Sequence, residues 1–135
     1  MPPEDALRYF AQKCYIKHAG TWAVATRGVV MQFDIDVSSK YKELFLNARE
    51  LLLTFGLVET KKDRITTYSD KNGGICHMRT MPYGIDIGFL KGARMEDEFE
   101  RLKGSGKVMR VLSLTSIDQG KIEYYLGQAR AINET

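Results

Sequence analysis

The residue types best suited to chemistry in this chain of 135 residues fall on two short apolar segments, 75–81 and 84–90. His77, Arg79 and Asp86 supply an imidazole, a guanidinium and a carboxylate. A histidine and a carboxylate side by side on a sheet can bind a metal or shuttle a proton, and a guanidinium adds a fixed positive fork for an anion. Gly84 and Gly88 flank Asp86 and remove side chains there, which leaves room for a ligand against the backbone. A structural reading competes: Arg79 and Asp86 form an ion pair and His77 lies on the surface. A lone histidine cannot build the His-rich sites of catalytic zinc.

Three further places carry candidate groups. Glu96, Asp97, Glu98 and Glu100 form an acidic run interleaved with Arg94, Arg101 and Lys103, which also reads as a solvated mixed-charge turn. Gly104-Ser105-Gly106-Lys107 has the glycine amides and the lysine that cradle phosphate. It lacks the first glycine of a P-loop, which is Arg101, and the hydroxyl after the lysine, which is Val108. It also leads into a strand instead of a helix, so a tight turn fits better. Lys91, Arg94, Lys103, Lys107 and Arg110 offer modest attraction to anions. No GxSxG elbow or HExxH pair is present. Cys76 beside His77 makes no catalytic couple, because neighbours in a strand point to opposite faces.

Elements must position these groups. Tyr41, Leu44, Phe45, Ala48, Leu51, Leu52 and Phe55 recur at helical spacing and predict a helix over 39–55, with Ser38 or Ser39 as its N-cap and Gly56 closing it. Beyond the charged stretch 59–63, short strands are expected at 64–69, 75–81 and 84–90, with turns at 70–74 and at Pro82-Tyr83. A two-residue loop sets Arg79 opposite Asp86 and places Cys76, Met78 and Thr80 on the face of Ile85, Ile87 and Phe89. Residues 91–107 read as a long connection with a short helix from Met95 to Leu102 ended by Gly104. Then come a strand at 108–115 and a helix over 117–132, opened by a Ser116 to Gln119 capping box and carrying Ile122, Tyr125, Leu126, Ala129 and Ile132 inward. Before residue 39, a helix over 3–14 and a strand over 29–35 are the alternatives to disorder.

Composition narrows the functional classes. A hydrophobic fraction of 44% in 135 residues suits one self-sufficient core. The net charge of +3 is too small for a nucleic-acid footprint. Two cysteines 62 positions apart, without a CxxC, suggest reduced thiols and a cytoplasmic setting. No apolar run approaches the roughly 20 residues of a membrane span. Glu4 and Asp5 stand where a signal peptide would be basic.

The stretch Gly84-Ile-Asp-Ile-Gly-Phe-Leu-Lys-Gly-Ala, then Gly104-Ser-Gly-Lys-Val-Met-Arg, then the closing amphipathic helix, resembles the YdhG-like family over residues 39–132. The chain departs from that family's pattern near 65–74, where Thr67-Tyr68-Ser69-Asp70 replaces an aromatic-Gly-x-Pro element. The resemblance implies a small binding domain, and the description of a member as a frataxin-like iron chaperone implies iron, which Glu96, Asp97 and Glu98 would hold as hard ligands.

The expected architecture is α+β: an antiparallel sheet of four to five strands packed on one face against helices 39–55 and 117–132, following a less regular segment 1–38. Three functions follow: an iron-binding chaperone, a binder of small molecules or anions using His77, Arg79, Asp86, Lys91 and Arg110, or a protein-interaction module whose exposed edge is the strand at 29–35.

Overall fold

The computed structural model describes residues 31–135 in full and, before them, the backbone of two short strands, β1 (Tyr15–His18) and β2 (Thr21–Val24), which pair antiparallel with each other. The helix expected over 3–14 lies outside the described residues. The strand expected over 29–35 is replaced, where it is described, by a short helix α1 (Gln32–Asp36). Alternation misled there because the segment has two masters. Phe33 stacks edge-on against Phe45 at 5.7 Å, while Asp36 is fully buried and its Oδ1 accepts from the Thr80 amide at 2.9 Å and hydroxyl at 2.7 Å. Residues 32–36 therefore offer no open strand edge to a partner; Ile35 and Asp36 are buried and Phe33 packs against the main core.

The first long helix, α2 (Lys42–Thr54), buries Phe45, Ala48 and Leu52, the face that the spacing predicted. It starts later than expected. Ser39 donates its hydroxyl to the Asp36 carbonyl and accepts from the Tyr41 amide, so it builds the turn before the helix, and the N-cap, Tyr41, has no side-chain cap. The end follows the expected chemistry. Gly56 sits at φ +96°, its amide bonds to Leu53 O, and the Leu57 amide bonds to Leu52 O, which together satisfy the last carbonyls. The last helix, α3 (Gln119–Asn133), buries Ile122, Tyr125, Leu126 and Ala129. Its N-cap is Asp118, which accepts from the Lys121 amide at 3.2 Å, in place of the expected Ser116.

Between these helices lies a six-stranded antiparallel sheet: β3 (Val58–Lys61), β4 (Thr66–Asp70), β5 (Gly73–Met81), β6 (Gly84–Phe89), β7 (Leu102–Lys103) and β8 (Arg110–Leu114), in the order β3-β4-β5-β6-β8-β7. The β5–β6 hairpin has the expected register, with Arg79 opposite Asp86 and Thr80 opposite Ile85. Two of the six strands were not foreseen. Strand β3 occupies the charged stretch, because an edge strand with three of its four residues exposed carries no apolar alternation. Strand β7 and a 3₁₀ turn (Gly92–Arg94) occupy the connection where a helix over 95–102 was expected. That helix is pre-empted by side chains. Asp97 accepts from the Arg101 and Leu102 amides, and Gln128 clamps both main-chain groups of Glu96.

One face of the sheet is apolar. Tyr68, Cys76, Met78, Ile85, Ile87, Phe89, Leu112 and Leu114 pack there with the buried stripes of α2 and α3 into a single core. The Cys76 thiol is fully buried and pushed up out of the range where it would ionise, so it acts as core. Among the described residues no helix is long and apolar enough to cross a membrane.

Candidate functional site

Because side chains alternate along a strand, the residues between the core positions project from the opposite face. Across β5, β6 and β8 this gives two neighbouring rows, Arg79–Asp86–Ser113 and His77–Gly88–Val111, the second continued by Lys103 on β7. Asp86 is the focus. Its Oδ1 accepts the Tyr83 hydroxyl at 2.5 Å and the Ser113 hydroxyl at 2.7 Å. Tyr83 comes from the turn of the β5–β6 hairpin, three residues before Asp86, and Ser113 lies directly opposite on β8. These groups, with Lys103, Gly104 and Val111, line an open cleft of about 320 Å³. The Tyr83 hydroxyl is itself raised in pKa by loss of water and by the adjacent carboxylate.

Arg79 stands in register with Asp86 but forms no ion pair with it; among the described residues the salt bridges are Arg49–Glu59 and Lys121–Asp118. In place of the expected structural pair, one oxygen of the carboxylate accepts two hydroxyls, with Arg79 exposed beside it. His77 is half-buried, and its ring lies on Gly88, where an added Cβ would be 2.4 Å from Cε1. Its Nδ1 is buried and has no hydrogen-bond partner among the described residues. Burial first, and then the charge of Arg79, hold the imidazole below its ordinary pKa, with Asp86 opposing them.

The space the two glycines were expected to open is filled from within the protein. The His77 ring occupies it at Gly88, and the Leu114 carbonyl occupies it at Gly84, 2.0 Å from where a Cβ would be. The cleft lies one strand further on, toward β8 and β7.

Lys91 and Arg110 do not join this group. Lys91 donates to Asn133 Oδ1 at 2.7 Å, tying the end of β6 to the end of α3. Arg110 pairs with Phe89, so it shares the core-facing row, and its guanidinium donates to the Gly106 and Met109 carbonyls, closing the glycine-rich loop. That loop is the tight turn preceding β8. Sequence reasoning missed Tyr83 and Ser113. The signal for Tyr83 was its place three residues before Asp86, and for Ser113 its position between the core residues Leu112 and Leu114. Only the pairing of β6 with β8, across a connection of some twenty residues, joins them.

The acidic run has a different fate. Asp97 takes in the Tyr125 hydroxyl and the Arg101 and Leu102 amides, and these bonds, working against a desolvation that would raise it, hold its carboxyl below the usual range. Glu96 and Glu98 are fastened through their main chains to Gln128 and Tyr124. Among the described residues no group of three or more His, Cys, Asp and Glu side chains is placed to hold a metal ion.

A third carboxylate–tyrosine node sits at the far edge. Glu59 on β3 receives Arg49 through both oxygens, at 2.6 and 2.9 Å, and the Tyr68 hydroxyl at 2.9 Å. The Glu59 side chain is only 10% exposed and Tyr68 is fully buried. Burial opposes ionisation of Glu59, yet Arg49 and Tyr68 together hold its carboxyl below the usual range.

Compared with known proteins, the chain matches no family model, no curated protein and no solved structure. The functional reading therefore stands on the geometry of the site.

Proposed function

We propose that this protein binds a small polar organic ligand on the open face of its sheet, in the cleft around Asp86. The carrying observation is the convergence of Tyr83, Asp86 and Ser113 from a turn and two strands onto one carboxylate oxygen beside a cleft of about 320 Å³. This volume suits a metabolite-sized molecule. Arg79 and Lys103 add positive charge around it, strands hold Arg79, Asp86, Lys103 and Ser113, and the tight β5–β6 turn holds Tyr83. An iron-carrying role, implied by the family resemblance, would have to draw on Glu96, Asp97 and Glu98, and the commitment of Asp97 to Tyr125 and two amides works against it.

A thermal-shift screen against polar metabolites tests the proposal, since a ligand that binds only the folded state raises the midpoint. Some compounds should raise it in the wild type and fail to do so in Asp86→Ala and Arg79→Ala. Equal shifts in all three proteins, or shifts with ferrous iron alone that vanish in Glu96→Gln/Asp97→Asn/Glu98→Gln, would reject it.

A further inference from the structure

The hydrogen bonds at Asp86 fix more than the presence of a site; they fix its polarity. A serine or tyrosine hydroxyl has one hydrogen to give. Both hydrogens are used within the cluster, where Asp86 Oδ1 lies 2.5 Å from Tyr83 and 2.7 Å from Ser113 and the two hydroxyls lie 3.4 Å from each other. What Tyr83 and Ser113 can still turn to a ligand is lone pairs. Asp86 Oδ2 receives no hydrogen bond among the described residues, and Asp86 is partly exposed. The groups that line this wall of the cleft, Tyr83, Asp86 and Ser113, thus present only acceptors to a ligand, a carboxylate among them. A carboxylate or phosphate placed against it would meet lone pairs and like charge, whereas an ammonium group would find up to three acceptors around it.

The opposite wall has the reverse character. Lys103 is exposed on β7 and forms no salt bridge among the described residues. It offers an ammonium to an acidic group, and Gly104 beside it keeps the approach free of a side chain. Between the walls the floor is the apolar side chain of Val111. Asp86 and Lys103 stand on strands separated by β8, so their backbones lie on the order of 10 Å apart.

We infer that the cleft takes a zwitterion whose ammonium group binds Asp86, Tyr83 and Ser113 and whose acidic group, a few carbons away, binds Lys103. This rests on the proposed function and names its ligand class.

Isothermal titration of the full chain with three probes of one length tests it: an ω-aminopentanoate, pentylamine and pentanoate. The aminopentanoate should bind at least about tenfold more tightly than either single-charge probe, as expected when each end makes one charge-assisted contact. Asp86→Asn should bring its affinity down to that of pentanoate, and Lys103→Ala down to that of pentylamine. Ser113→Ala, which leaves the carboxylate in place, serves as the second variant should Asp86→Asn melt early, and should weaken the amine-bearing probes only. Pentanoate binding as tightly as the aminopentanoate, an affinity unchanged by Asp86→Asn, or no binding of the aminopentanoate would each overturn the inference. In those cases metabolite shifts that still disappear in Asp86→Ala would leave the binding function standing; their absence would remove both.

Discussion

Two carboxylates in this sheet accept a tyrosine hydroxyl, and they sit in opposite circumstances. Glu59, at the β3 edge, is closed in by a bidentate arginine and a buried tyrosine, so both its oxygens are occupied and its side chain barely meets water. Asp86, in the middle of the open face, receives two hydroxyls on one oxygen and pairs with no cation among the described residues, although Arg79 is directly across from it. The first arrangement is saturated and can only hold α2 to β3. The second is half-satisfied and faces a cleft, which is what a binding group requires and a structural one avoids.

The largest effect should come from breaking the saturated node. Glu59→Ala leaves the buried Tyr68 hydroxyl without its acceptor and strips Arg49 of its partner, and should destabilise the fold by about 2–3 kcal/mol in denaturant titration. Asp86→Asn, measured in the same way, should change stability by less than about 1 kcal/mol, since its partners Tyr83 and Ser113 reach solvent and can turn to water. Equal losses in the two variants would erase the contrast and make Asp86 another structural tie.

A smaller effect probes how closely the open face is packed. Gly88→Ala places a methyl 2.4 Å from the His77 ring and forces the ring to move, for about 1 kcal/mol. Because the obstacle is a side chain, His77→Ala should relieve it: the double variant should be more stable than the sum of the two single losses predicts, a coupling read from a double-mutant cycle. Strict additivity would show that Gly88 is required by something other than His77.

These contrasts also show what could be read from the amino acids. The α2 stripe, the Gly56 stop and the β5–β6 register were legible because each is written in consecutive residues, as helical spacing, a glycine after an apolar run, or matched faces across a two-residue turn. The partners of Asp86 were half legible. Tyr83 is local, whereas Ser113 arrives through the pairing of β6 with β8, which no local pattern encodes. The same limit hid Arg49–Glu59, as the residues of β3 read as a charged loop until a helix lies over one of them. Lys91 and Arg110 lie apart from the Asp86 cluster because positive charge says nothing about which face a residue takes; register and the nearest carbonyl or amide decide that. The acidic run reads as ligands in one dimension and as caps and clamps in three.

The finest test concerns protons. Burial and Arg79 hold the His77 imidazole below its ordinary pKa of about 6.5, so the folded state favours the neutral ring. As pH falls through 6.5, the unfolded chain takes up this proton before the folded one does, and stability must decline; above that pH the contribution is fully present, and below the folded pKa the decline levels off. Histidine 77 differs here from Glu59, whose lowered carboxyl weakens the fold only at more acidic pH, once it protonates. Wild type and His77→Gln compared by denaturant titration between about pH 7.5 and 5.5 should therefore diverge, with the variant losing less stability over the interval. Parallel curves would mean that the ring on Gly88 is as well hydrated as a surface histidine, and the packed half of the open face would then be no more closed than the half that carries Asp86.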